Sequence, residues 1–355
     1  MQFLKFKSLL PAAALAVLCS CSTFDEEKIT LDGERISVLD GETALQPDYA
    51  PGQVKIVLPA PYTNTAWSQN GGNAAHMMGH LSSDSKLKEL WESGFGEGSS
   101  KRDFLIAAPV SAHKAVFTID ADGIVNAFRL DDGRKIWKRR LKPLIKDDIS
   151  TSLKGAGLAV FDKKVYATTG FGAVFALDMV TGKKLWRYDT ELPIRIAPTA
   201  ERGVVFIQTI DNKLIALNGV DGSVLWDYKS PSEETTLVGG ASPAYSPQQD
   251  TIVAAFSNGE LRAFKASTGS PLWSDILVSR KRTNSPANIN AIKANPVIDG
   301  STVYAVGNNN ILVAIDLRSG ARIWEREIGS INQPWVAGKF MFVLSNNYDL
   351  SLIHI

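Results

Sequence analysis

Beyond residue 120 the chain repeats one spacing of three residue types: an Ala is followed six residues later by a Gly and four residues after that by a Trp. The five copies are Ala127-Gly133-Trp137, Ala176-Gly182-Trp186, Ala216-Gly222-Trp226, Ala263-Gly269-Trp273 and Ala314-Gly320-Trp324. The spacing within the motif is constant, whereas the chain between motifs varies in length. A fixed motif separated by variable loops is typical of a fold built from stacked, similar units.

Each copy is surrounded by short runs of β-favouring residues. In the first copy these runs are residues 116–119, 124–130 and 135–139, and turn signals rich in Asp and Gly separate them. Four copies also carry a Pro upstream of the turn Gly, where an innermost strand would begin: Pro109, Pro198, Pro243 and Pro296. About four strands in a unit of roughly 45 residues form the blade of a β-propeller. The sequence therefore predicts an all-β fold, a β-propeller of four-stranded blades.

The motif has a mechanical interpretation. Its Gly supplies the left-handed backbone conformation that a tight turn requires. Its Trp follows on the outer strand and can bury roughly 150 to 250 Å² against a neighbouring blade, while the small Ala leaves room for close approach. We therefore expect five tryptophans to dock each blade on the next: Trp137, Trp186, Trp226, Trp273 and Trp324.

The first twenty residues have the features of a secretory leader, with Lys5 and Lys7 ahead of an apolar stretch, residues 9–18, that is too short to span a bilayer. The leader ends in Leu-Cys-Ser-Cys at 18–21, which resembles the bacterial lipobox. We expect residues 1–20 to be a lipoprotein signal peptide, Cys21 to be acylated, and the polar, Pro-containing residues 21–66 to form a lipid-anchored tether. An ordinary signal peptide that contains two cysteines is the alternative. Ser22, where Asp would favour the inner membrane, favours the periplasmic face of the outer membrane.

The composition argues against several kinds of site. Lys and Arg number 38 against 37 Asp and Glu, so no basic footprint for nucleic acid is expected. Cys19 and Cys21 are the only cysteines, and the mature chain would have no disulfide. His76 and His80 are four residues apart, as two metal ligands on a helix would be, but no nearby carboxylate or Cys accompanies them. We expect both to be exposed loop residues, and we predict no metal site and no cofactor.

At this point the sequence resembles the quinoprotein-like propellers with tryptophan-docking motifs, and among them the BamB family of outer-membrane assembly factors. The resemblance rests on residues 295–300, 313–320 and 324–332, together with Trp67 and the Gly-Gly-Asn-Ala-Ala-His stretch at 71–76. It implies an eight-bladed ring, of which this chain contains about five to six blades. Residues 67–355 are therefore expected to be a propeller that is incomplete at its C-terminus. A six-bladed ring, completed by an outer strand around Trp91, is the alternative.

The resemblance implies a non-catalytic scaffold. Such a lipoprotein belongs to the outer-membrane β-barrel assembly (BAM) complex, binds the periplasmic domains of BamA and other BAM subunits, and assists insertion of β-barrel proteins. It needs no small-molecule substrate. A periplasmic dehydrogenase that uses pyrroloquinoline quinone is the alternative, although the adjacent Cys pair of such enzymes has no counterpart here. A propeller that binds peptidoglycan or polysaccharide is a third possibility.

Two family contact loops can be placed on this sequence through the resemblance. The first reads Leu-x-Leu-Arg-Gly in the family and corresponds to residues 235–239, where Leu237 and Gly239 fit and Val238 replaces the Arg. The second carries Asp-x-Asp in the family and corresponds to residues 291–293, which include Ile292 and Lys293. The predicted partner-binding residues are therefore Leu237, Val238, Gly239, Ile292 and Lys293. Ordinary loops between blades are the alternative interpretation.

Overall fold

The computed structural model describes residues 53, 55–101, 104–144, 155–232, 239–277 and 291–355. The chain divides into two compact units, Met1–Lys55 and Ile56–Ile355, and the fold described is that of the second. The described residues form strands, turns and loops and no helix. Accordingly, this part of the chain contains no helical segment that could cross a membrane.

The described residues contain twenty-three strands in six antiparallel sheets, which we call blades 1 to 6 in chain order. Blade 1 contains β1 (Val110–Ala112), β2 (Ala115–Ile119), β3 (Ile124–Arg129) and β4 (Lys135–Arg140). Blade 2 contains β5 (Gly155–Phe161), β6 (Lys164–Thr169), β7 (Ala173–Asp178) and β8 (Lys184–Asp189). Blade 3 contains β9 (Thr199–Glu201), β10 (Val204–Gln208), β11 (Lys213–Asn218) and β12 (Val224–Lys229).

The other three blades repeat this order. Blade 4 contains β13 (Ala244–Ser246), β14 (Thr251–Ala255), β15 (Glu260–Lys265) and β16 (Pro271–Ile276). Blade 5 contains β17 (Val297–Asp299), β18 (Thr302–Val306), β19 (Leu312–Asp316) and β20 (Arg322–Arg326). Blade 6 has three described strands, β21 (Trp335–Ala337), β22 (Phe340–Leu344) and β23 (Leu350–His354).

The blades stack face to face in chain order. Five hydrophobic clusters each join one blade to the next, from blades 1 and 2 through to blades 5 and 6. The middle strands are therefore apolar on both faces, as in β7 and β11, because each face packs on a neighbouring blade. In outer strands such as β4, the docking Trp is the one buried residue. This arrangement confirms the predicted all-β propeller.

The pairing register explains why the repeat begins with Ala. In every copy the motif Ala on the third strand pairs with the motif Trp on the fourth, and a register shift follows the Ala at once. The second strand places another large residue opposite the same Ala: Phe117, Tyr166, Phe206, Val253 or Tyr304. In the four aromatic rows the second-strand ring and the indole lie 5.8 to 6.0 Å apart. The Ala is fully buried beneath two rings, where a larger side chain would hold them apart.

An N-terminal stretch, residues 67–79, which we call the inner segment, contacts all six blades. Its hydrogen-bond partners in chain order are Ser111 on β1, Val160 on β5, Ala200 on β9, Tyr245 on β13, Ile298 on β17 and Gln333 ahead of β21. The first strand of each blade is an edge strand, and the inner segment satisfies backbone groups that would otherwise be unpaired. Contacts with the blades begin before residue 67, because a Cβ on Gly338, between β21 and β22, would lie 2.7 Å from Pro59 Cδ.

The structure gives Trp91 a docking role. Its indole Nε1 donates to the carbonyl oxygen of Leu130 at 2.8 Å, and its ring covers Gly133 of blade 1. A six-bladed ring would need a strand around Trp91 that pairs with β23. Residues 84–93 are not a strand, and among the described residues β23 pairs only with β22. The described residues therefore do not contain that pairing. The number of blades in the complete protein stays a prediction.

Candidate functional site

Four of the five predicted docking tryptophans lie against the next blade in one geometry. The rings of Trp137, Trp186, Trp226 and Trp273 cover Gly182, Gly222, Gly269 and Gly320, respectively, and a Cβ on any of these glycines would lie within 2.6 or 2.7 Å of the ring or its Cβ. Each indole Nε1 also donates to the carbonyl three residues before that Gly, at 2.7 to 3.1 Å. The motif Gly of one blade thus accepts the motif Trp of the blade before it.

Trp324 differs from these four. It packs against Tyr304 within its own blade, with ring centroids 6.0 Å apart, but it is only half-buried. By register, Leu352 on β23 is equivalent to Ala314 on β19, since each is the partner of the third residue of the preceding strand. Among the described residues, no turn Gly lies against the ring of Trp324 as it does for the other four.

Part of the predicted site lies outside the described residues. These are the predicted acylation site Cys21 and two residues of the first contact loop, Leu237 and Val238. Of the predicted contact residues, the structure describes Gly239, Ile292 and Lys293.

Gly239 and Lys293 come together although they belong to loops of different blades. A Cβ on Gly239, which has a φ of +84°, would lie 3.7 Å from Lys293 Cε and 4.0 Å from the carbonyl oxygen of Arg195. Ile292 behaves differently, because it is only 2% exposed and belongs to the cluster between blades 4 and 5. Its prediction as a partner-binding residue is therefore corrected, since its side chain is core and is not presented to a partner.

Gly239 and Lys293 line a cavity of about 540 Å³ to which all six blades contribute, and which we call the shared cavity. Its wall includes Ile106, Arg195, Gly240, Lys293 and Ile331. Each of these five residues stands three positions before a Pro, in the loop that leads into the innermost strand of its blade. Equivalent positions of successive blades therefore converge on one opening.

Arg195 is the wall residue that the sequence interpretation missed. It occupies the same position in blade 3 as Lys293 does in blade 5, three residues before Pro198 and Pro296, respectively. This repeated position of a cation, three residues before the Pro in two copies, is the sequence signal that could have identified Arg195. The Nε of Arg195 is buried and has no hydrogen-bond partner among the described residues.

An aromatic pair forms another part of the wall. Trp67 of the inner segment stacks on Trp335 of β21, with ring centroids 6.2 Å apart and an angle of 18° between the planes. The Nε1 of Trp335 donates to the carbonyl of Gly79, which fixes the indole against the inner segment. The cavity therefore combines cationic and aromatic surfaces.

The amide side chains of the wall are held by one another and by backbone groups. Asn70 donates to Ser242 Oγ, Asn295 donates to Gln333 Oε1 and accepts from Ser242 N, and Gln333 donates to the carbonyl of His76. These hydrogen bonds link the inner segment to blades 4, 5 and 6. The amides mainly fix the shape of the wall.

His76 lies under this wall, and its prediction as an exposed loop residue was wrong. It is 2% exposed, its φ is +59°, and its Nδ1 donates to the carbonyl of Pro296 at 2.7 Å. Burial lowers the pKa of His76 to about 4, although the hydrogen bond to Pro296 acts in the opposite direction. The ring is therefore neutral at pH 7. No group of three or more His, Cys, Asp or Glu is placed to hold a metal ion among the described residues.

Comparisons with known proteins agree with this architecture. A family model described as outer membrane protein assembly factor BamB matches residues 121–355. The assembly factor BamB of Yersinia pestis is 28% identical over 268 residues, which are 74% of this chain and 67% of that protein. The BamB of Vibrio cholerae is 30% identical over 259 residues, 73% of this chain and 65% of that protein. This chain thus spans about two thirds of the length of these relatives.

Two solved structures share the fold. The crystal structure of BamB from Moraxella catarrhalis has a TM-score of 0.61 at 18% identity and covers 73% of this chain and 75% of that chain. The quinohemoprotein alcohol dehydrogenase of Comamonas testosteroni has a TM-score of 0.56 at 17% identity and covers 75% of this chain and 49% of that chain. At these identities the two structures establish the propeller fold alone. Because the family model matches more than half of the sequence, this chain belongs to the family of outer membrane protein assembly factor BamB.

Proposed function

We propose that this protein is a non-catalytic scaffold of the BAM complex, which binds the periplasmic domains of BamA and assists insertion of β-barrel proteins into the outer membrane. Family membership over residues 121–355 is the observation that carries the proposal. In the same proposal, residues 1–20 are a signal peptide, and acylated Cys21 anchors residues 21–66 to the periplasmic face of the outer membrane. We propose further that the protein contacts other subunits of the BAM complex.

The contact surface is proposed to be the rim of the shared cavity, including the loop that contains Leu237 and Val238. The convergence of Gly239 and Lys293 supports this location, because residues of both family contact loops lie side by side. A scaffold surface of this kind depends on a few well-packed anchors rather than on every contact. Leu237 is the apolar anchor that the family loop supplies.

The experiment is recovery of BamA with the full-length protein from detergent-solubilised membranes. The parent protein is expected to recover BamA, and Leu237→Asp is expected to reduce the recovery about tenfold, as loss of one anchor would. Val180→Asp is the matched control, because Val180 is 65% exposed in the turn between β7 and β8. If the parent protein never recovers BamA, the proposal fails. If both variants lose BamA equally, the location fails.

The alternative function is a dehydrogenase that uses pyrroloquinoline quinone, because the propeller fold is shared with a quinohemoprotein alcohol dehydrogenase. The part of the chain that the structure describes brings together no ligand cluster for the calcium ion of such enzymes. A dehydrogenase would bleach an electron-acceptor dye when the purified protein is given pyrroloquinoline quinone, calcium and an alcohol. We expect no bleaching above the rate without protein, and sustained turnover would replace the scaffold proposal.

A further inference from the structure

The shared cavity is cationic in a protein whose total charge is nearly balanced. Among its described lining residues, Arg195 and Lys293 are the charged ones, and neither forms an ion pair with a described carboxylate. Both side chains are partly buried. A partly buried cation without a counter-ion loses hydration and gains no compensating interaction, which makes it a favourable place for an anion to bind.

Arg195 is held in position with an unused hydrogen-bond donor. Its neighbour Ile194 is fully buried and pairs with Thr209, and Ile196 on the other side is 7% exposed, so the backbone around Arg195 is fixed. The buried Nε has no acceptor within the described residues. An unsatisfied buried donor destabilises the free protein, and an acceptor from a bound partner would remove that penalty.

The two cations lie on either side of a glycine pair. Arg195 belongs to blade 3 and Lys293 to blade 5, and Gly239 and Gly240 of blade 4 lie between them on the cavity wall. A Cβ on Gly239 would lie 3.7 Å from Lys293 Cε and 4.0 Å from the backbone carbonyl oxygen of Arg195, and the φ of +84° disfavours any larger residue. The absence of side chains at Gly239 and Gly240 leaves the wall of blade 4 open between the cavity-lining residues of blades 3 and 5.

We propose that the shared cavity binds an acidic segment of a partner protein, with an Asp or Glu carboxylate between Arg195 and Lys293. A guanidinium can hold both oxygens of a carboxylate, and Lys293 adds a second charge. The stacked pair of Trp67 and Trp335 offers an apolar surface for a residue beside the carboxylate. This inference rests on the proposed function, since the partner is taken to be the BAM subunit that contacts these loops.

A polypeptide fits this wall better than a polyanionic lipid or saccharide. Apart from the two cations, the described lining is apolar, aromatic or amide, and the amides of Asn70, Asn295 and Gln333 are engaged in hydrogen bonds within the protein. Densely charged phosphates or sugars would need a larger number of cations. A single carboxylate beside apolar residues matches the charge that is present.

The first test uses the purified full-length protein and synthetic hexaglutamate, with hexaglutamine and inorganic phosphate as comparison ligands. Titration calorimetry and Trp emission are expected to detect hexaglutamate, because Trp67 and Trp335 line the cavity. The double change Arg195→Gln and Lys293→Gln is expected to weaken its binding at least tenfold. The matched control is Lys183→Gln with Lys184→Gln, two exposed lysines where β8 begins.

Three results of this titration would overturn the proposed carboxylate site. Failure of hexaglutamate to bind, an equal loss in the control pair, or equal binding of phosphate overturns it. Unfolding midpoints of all variants are measured in parallel, and Lys293→Gln alone serves as a second variant if the double variant does not fold. A threefold or larger loss for Lys293→Gln supports the inference, and a smaller one overturns it.

The second test separates this inference from the proposed function. Lys293→Glu is expected to reduce recovery of BamA about tenfold, and recovery by the parent protein is expected to fall with rising salt. The parent protein could recover BamA to an extent that neither Lys293→Glu nor added salt reduces. In that case the proposal that the partner supplies an acidic segment is overturned, and the scaffold function stands. If BamA is never recovered, the proposed function fails, and the hexaglutamate titration still decides whether the cavity binds carboxylates.

Discussion

His76 shows how one buried side chain links the wall of the cavity to pH. Its Nδ1–H donates to the carbonyl of Pro296, and its buried Nε2 has no hydrogen-bond partner in the part of the chain that the structure describes. The neutral tautomer therefore has an unprotonated Nε2 inside the protein. Adding a proton there would place a charge in a buried site that has no counter-ion, which explains the depressed pKa.

The stability of the protein is expected to depend on pH through this residue. The unfolded chain binds a proton at His76 near pH 6.5, whereas the folded chain does so only near pH 4. Between these values the unfolded state holds more protons, so the free energy of unfolding falls as the pH is lowered, by about 3 kcal/mol in total. Urea unfolding from pH 7 to pH 4 measures this fall.

His76→Gln is expected to flatten that part of the pH profile, whatever its own effect on stability at pH 7. His113→Gln changes an exposed histidine and serves as the control. A profile with the same slope in His76→Gln and in the parent protein would show that other groups cause the pH dependence.

At the level of strands, the repeat works across two sheets at once. Within a blade, the Ala allows an aromatic ring and the indole to meet over the third strand. Between blades, the indole covers the Gly of the following turn and donates to a nearby carbonyl. The three residues of one copy therefore stabilise two interfaces, and their spacing is fixed because the strand pairing and the turn are fixed.

Gly182→Ala is expected to destabilise the protein by about 2 to 4 kcal/mol. Its φ of +65° strains an Ala, and the new Cβ would lie 2.6 Å from the Trp137 ring, so that strain and overpacking add. Gly203→Ala is the matched control, because φ is +78° there but no atom lies within 4 Å of the added Cβ. The control is expected to cost about 1 kcal/mol. Urea unfolding at pH 7 measures both, and equal losses would mean that the indole contact adds nothing.

Across the whole unit, the inner segment is the one stretch that bonds to every blade in the described chain. Stacked blades contact only their neighbours, so each interface contributes locally, as in other repeat architectures. The inner segment also connects blades that are not neighbours in the chain. Its Trp67 bonds to Ser111 of blade 1 and stacks on Trp335 of blade 6. We expect it to make the unfolding of the blades cooperative.

Gln69→Ala tests this role. The side chain of Gln69 is buried, accepts from Ala200 N at 2.8 Å and donates to Ala200 O at 3.3 Å. Its loss would leave two buried backbone groups of β9 unpaired, at a cost of about 2 to 4 kcal/mol. Gln249→Ala is the control, because Gln249 also donates to a carbonyl of the next blade, that of Gly300, but is exposed. Equal unfolding midpoints for the two variants would contradict a stabilising inner segment.

The sequence by itself determined the strand content, the four-stranded unit and the residues that dock one unit on another. These features are local, because a strand pattern, a turn Gly and a Trp at fixed spacing are set within about 45 residues. The register was less accessible, since a shift by one residue leaves the pattern nearly unchanged. The pairing of Phe342 with Leu352 is what identifies Leu352 as the counterpart of the motif Ala in blade 6.

Only the tertiary structure decided which distant residues share a site. Arg195, Gly239 and Lys293 belong to three blades, and their approach depends on how successive blades stack. The burial of His76 and Ile292 was decided in the same way, because each is covered by residues far away in the chain. Burial and juxtaposition are properties of packing between units, and a single unit's sequence does not contain them.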